Sequence, residues 1–163
     1  MRVLSRIVYK VPVDYDRSIK KGVIAGKYDN LLINEISLTD KNYPSRRLGI
    51  VERNIELVQF DFGPKKETGQ LESGAAIDMM ACALEEISLV PAIFHEILSL
   101  GETFPSLQRK FRILAMGSRV SDFHSDYCQF IGKAWPQKRV CGAYDTYYGY
   151  KTSWRFAGIA KTD

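Results

Sequence analysis

Residues 50–62 read IVERNIELVQFDF, and the placement of their apolar side chains decides what kind of sheet the chain builds. Val51, Ile55 and Leu57 share one parity of an extended chain; Val58, Phe60 and Phe62 share the other. Apolar residues at a spacing of two mark a half-buried strand, because successive side chains leave a strand on opposite faces. A change of parity within one strand points to a bulge or twist that re-aims the side chains.

On the N-terminal side, residues 3–13 (VLSRIVYKVPV) form a second strand pattern. Val3, Ile7, Tyr9, Val11 and Val13 share one parity, with Arg6 and Lys10 on the other. Pro12 has no N–H to give a ladder, so the end of this strand lies at a sheet edge or outside the sheet. Asp16 then precedes RSIKKGVIAGKYDN, a short helix weakened by glycine and ending near Gly26. LTDKNYPSRR is a polar connection around Pro44, and GPKKETGQLESG, residues 63–74, is the segment whose composition most favours disorder.

On the C-terminal side the period changes. In SGAAIDMMACALEEIS, Ile77, Met80, Ala81, Leu84 and Ile87 fall on one helical stripe, leaving Asp78, Glu85 and Glu86 off it. Pro91 is expected to open the next helix, with Ile93, Phe94, Ile97, Leu98 and Leu100 as its apolar face and Gly101 as its end. His95 and Glu96 read as an exposed pair on that helix, and FPSLQRKF as one further turn from Pro105. Four short strands follow: RILAMGS, RVSDFHSDYCQFI, KRVCGAYDTYY and SWRFAGIAK. The expected fold is α+β in a single domain over residues 1–163, with N-terminal strands, two or three central helices and C-terminal antiparallel strands.

PAIFHEILSLGETFPSLQRKFRILAMGS, residues 91–118, resembles the central segment of a group of small uncharacterised bacterial proteins. That group carries a Pro-Ala start, a Leu-rich helix, a Gly, a Tyr/Phe-Pro-x-Leu-Gln-Arg turn and an Ala-Leu-Gly-Ser strand. VDYDRSIKKGVIAGKYDN and WRFAGIAK fit the same pattern, and no activity comes with it. The Pro-started helix, the strand ending in Gly-Ser and the terminal Arg-Phe strand are also similar to compact C-type-lectin-like domains. That resemblance implies a binding scaffold in which first and last strands pair. The chain departs from it at Met116 and Gly117 and in lacking the usual disulfides.

Hydrophobic residues make up 45% and charged residues 26%, enough apolar material for a true core. No run of about 18 apolar residues occurs, so no membrane partner is expected. Arg2, Arg6 and Lys10 interrupt what a signal peptide would keep apolar. Cys82, Cys128 and Cys141 have no close spacing, which argues against a disulfide framework and for a reducing, cytoplasmic setting. Charge is uneven: ten Lys/Arg face five Asp/Glu in residues 1–50, three face nine in 51–100, and ten face five in 101–163. Basic ends of this kind admit nucleic acid as an alternative partner.

The densest chemical feature is CGAYDTYYGYKTSWRF. Tyr144, Tyr147, Tyr148, Tyr150 and Lys151 are the candidate contact residues for a protein partner or small ligand, since aromatic faces beside cations suit recognition. Trp154 and Phe156 share a parity and are expected to point inward. In RVSDFHSDYC, Asp122, His124, Asp126 and Cys128 fall in register if the stretch is one strand; the first three are weak metal candidates. A small metal- or His-dependent hydrolase is therefore a further alternative, weighed against a solvated hairpin. Cys128 and Cys141 read as buried thiols rather than nucleophiles, and GYKTS lacks the first glycine of a phosphate loop. No cofactor motif is present. The leading expectation is a non-enzymatic recognition module.

Overall fold

The computed structural model describes residues 1–34, 37–62, 75–121, 126–134, 136–146 and 149–161. The elements are β1 (Arg2–Asp14), α1 (Ile19–Ala25), β2 (Asn30–Leu32), β3 (Ile50–Asp61), α2 (Ala75–Glu86), β4 (Leu89–Pro91), α3 (Phe94–Thr103), α4 (Leu107–Lys110), β5 (Ile113–Ser121), β6 (Asp126–Ala134), β7 (Lys138–Asp145) and β8 (Arg155–Ala160). The α+β class is as expected. All eight strands join one mixed sheet in the order β1-β3-β8-β5-β6-β7-β2, with β4 pairing β8 beside that path. β1, with Pro12 near its end, is an edge strand. Because β3 lies between β1 and β8, the first and last strands do not pair, contrary to what the lectin-like resemblance implied.

The parity change in β3 has a different cause from the one expected. Its backbone alternates without a break opposite β1 from Ile50 to Gln59; the extra residue of the pair is Leu4, in β1. Ile55 and Leu57 face a core shared with Ile19 and Val23 of α1 and Phe94, Ile97 and Leu100 of α3. Val58, Phe60 and the following Phe62 face a second core with Ile77, Met80 and Leu84 of α2. Helices thus cover both faces of the sheet, and β3 passes from under one helical layer to over the other. β5 and β8 do the same, with Ile113 and Ala157 in the first core and Leu114 and Phe156 in the second.

Two helix boundaries move. Pro91 ends β4 rather than opening a helix, and α3 begins at Phe94. Its first N–H groups are satisfied by side chains: Ile93 N–H donates to Glu96 Oε2 at 2.6 Å and Phe94 N–H to Ser118 Oγ at 2.8 Å. Gly101 lies inside α3, where a Cβ would come within 2.6 Å of Gln108 Nε2 and 2.7 Å of the Tyr28 hydroxyl. The glycine serves close packing, not termination. α1 ends at Gly26 and α4 is one turn, both as expected. The 63–74 connection lies outside the described residues.

Candidate functional site: a cationic pocket at the C-terminal strands

The aromatic segment folds into the second core. Tyr150, Trp154 and Phe156 are 4%, 7% and 0% exposed, so Tyr150 does not present a ring to solvent as a contact residue, contrary to expectation. Trp154 and Phe156 point inward as expected. Tyr144 is half-buried, edge-on to Trp154 at 4.7 Å, and its hydroxyl donates to the Gly149 carbonyl at 2.6 Å. Gly149 has φ +70°, a conformation that glycine adopts without steric cost. Tyr147 and Tyr148 lie outside the described residues. The described rings pack on one another and form a wall.

Against that wall stands Arg112. Its guanidinium carbon is 4.4 Å from the centre of the Phe130 ring, 4.9 Å from Trp154 and 5.9 Å from Tyr144. Burial disfavours the charged form and lowers its pKa, with Tyr144 and Cys128 acting in the opposite sense. Among the described residues no carboxylate makes an ion pair with it. Its backbone is fixed by Arg155 N–H, which donates to the Arg112 carbonyl at 2.9 Å, and by close approach of β6 at Gly132.

Lys110, Lys133, Lys151, Ser153 and Trp154 complete a cavity of about 270 Å³ around Arg112. The three lysines are exposed, come from α4, β6 and the turn before β8, and have no ion pair among the described residues. Four like charges converge, with no acidic side chain on the wall among the described residues. Such a site favours an anion, since each approaching negative group meets several unpaired donors. Lys151 was a sequence candidate; Lys110, Arg112 and Lys133 were not, because three separate elements bring them together.

Of the metal candidates, Asp126 alone lies among the described residues. β5 ends at Ser121 and β6 starts at Asp126, with these two residues opposite each other across an antiparallel pair. Ser121 and Asp126 therefore belong to different strands, and Asp122 and His124 lie outside the described residues. Asp126 is 7% exposed and already engaged, by Arg119 at 2.7 Å and by the Ser121 hydroxyl. No group of three or more His, Cys, Asp or Glu suited to a metal occurs among the described residues. Cys128 and Cys141 are buried, and burial pushes the Cys128 thiol up to about 12. His95 and Glu96 are 7% and 3% exposed, not the exposed pair expected. Glu96 faces inward because its carboxylate accepts the Ile93 N–H and the Tyr15 hydroxyl, the latter at 2.6 Å.

No described helix is long and apolar enough to cross a membrane. In comparisons with known proteins, no family model, no curated protein and no solved structure matched the chain.

Proposed function

We propose that the protein is a non-enzymatic recognition module whose C-terminal pocket captures a small, compact polyanion such as a phosphate-bearing ligand. The carrying observation is Arg112: a guanidinium seated among three ring faces, without an ion pair among the described residues, at the base of a cavity rimmed by three lysines. Partly desolvated charge is costly unless compensated, and ring faces compensate it only in part. A ligand anion supplies the remainder. On this reading the tyrosines act mainly by holding Arg112, and the cations make the contacts. The three free cysteines support a reducing, cytoplasmic setting for the module.

Calorimetric titration with inorganic pyrophosphate tests the reading. The wild-type chain is expected to bind, and the Lys133→Ala/Lys151→Ala double variant to bind at least about tenfold more weakly, as loss of two charge-assisted contacts requires. Both lysines are exposed, so the melting temperature should stay nearly constant. Absence of binding, or equal affinity in the variant, contradicts the proposal. The small volume, about 270 Å³, favours a compact anion over a polymer. A salt-sensitive gel shift with a single-stranded oligonucleotide, in the absence of pyrophosphate binding, would move the protein to the nucleic-acid class.

A further inference from the structure

A second cavity, of about 360 Å³, lies between the 44–47 turn, β4 and the start of α3. One part of its wall is apolar, from Val90, Ile93 and Ile159, and another carries Arg46, Arg47 and Glu96. Its volume falls within the range of roughly 300–1,000 Å³ that small-molecule sites occupy.

The turn is held in place. Tyr43 is buried, edge-on to Phe94 at 5.1 Å, and its hydroxyl accepts from Gln129 Nε2 at 3.2 Å. Arg47 N–H donates to Ser45 Oγ at 3.1 Å. The guanidinium of Arg47 lies 3.6 Å from Glu96 Oε1 and donates to the Tyr15 hydroxyl at 3.3 Å, and Arg53 Nε reaches the same hydroxyl at 3.3 Å. The carboxylate of Glu96, 3% exposed, is the one negative group on the cavity wall among the described residues, and both its oxygens already accept hydrogen bonds. One spent carboxylate therefore stands against two arginines on the wall, Arg46 and Arg47. Arg46 is exposed and has no ion pair among the described residues. Val90 is 43% exposed beside it.

We propose that this cavity binds a small organic acid, its carboxylate held by Arg46 and Arg47 and its aliphatic body laid on Val90, Ile93 and Ile159. Guanidinium forks match a carboxylate in shape as well as charge, and the apolar wall selects for a hydrocarbon body. The site is separate from the C-terminal pocket and does not depend on what that pocket takes.

Calorimetric titration with octanoate, below its micellar concentration, tests the proposal beside acetate and 1-octanol. Octanoate is expected to bind, with acetate and octanol each at least about tenfold weaker, because each lacks one half of the recognition. Arg46→Ala should weaken octanoate about tenfold. Val90→Asp should abolish its binding; both positions are exposed, and an unchanged melting temperature checks the fold. Lys151→Ala should leave octanoate affinity unchanged while weakening pyrophosphate. No heat with octanoate, equal affinity in Arg46→Ala, or octanol binding as well as octanoate overturns the proposal.

Discussion

At the scale of single residues, burial rather than residue type sets chemical behaviour. Cys128 and Cys141 are fully covered and their thiols are held in the protonated form, whereas Cys82 is exposed. A thiol reagent at pH 8 should modify one cysteine in the folded chain and three in denaturant, read by intact mass. Rapid modification of two or more in the folded chain would contradict this burial. His95 offers a second check. Desolvation lowers its pKa below the ordinary 6.5, partly opposed by Asp40 and Asp14. The unfolded chain therefore binds the proton more readily, so stability is full above pH 6.5 and declines as pH falls below it. Urea unfolding at pH 7.5 and 5.5 should show that decline, and His95→Gln should reduce it. An equal decline in both chains would refute the assignment.

At the scale of elements, the strands were legible and their surroundings less so. β1, β3 and α2 could be read from periodicity, because each has an apolar pattern several residues long. β2 and β4 could not, since three residues carry no period. Their pairing with β7 and β8 is set by distant partners. Pro91 misled for a related reason: a proline suits a first helical turn and the end of a short strand alike. Of the cationic pocket, Lys151 and the neighbouring Tyr144 were visible as part of a dense local cluster. Arg112 and Lys133 were not, being ordinary charges until β6 passes the start of β5. That crossing depends on Gly132, where a Cβ would stand 2.8 Å from Arg112 Cα and 3.0 Å from the Phe111 carbonyl oxygen. Gly132→Ala should therefore cost about 1–3 kcal/mol in urea unfolding and also weaken pyrophosphate binding. Wild-type stability and affinity in that variant would show that the crossing does not position Arg112.

At the scale of the whole molecule, helices on both faces of one mixed sheet bury the middle of the chain and leave charge at the periphery. The basic excess noticed in residues 101–163 includes all four cations of the pocket, so a compositional trend became a local feature only once the sheet was assembled. Of the tyrosine segment, Tyr150 is core and Tyr144 is a half-buried wall beside Arg112. The role of Arg112 as the anion's seat is best tested by following its side-chain Nε–H resonance during a pyrophosphate titration. That resonance should shift and saturate together with the backbone amides of Lys133 and Lys151, while those of Arg46 and Arg47 stay still. An unmoved Arg112 resonance at saturating pyrophosphate would contradict the assignment.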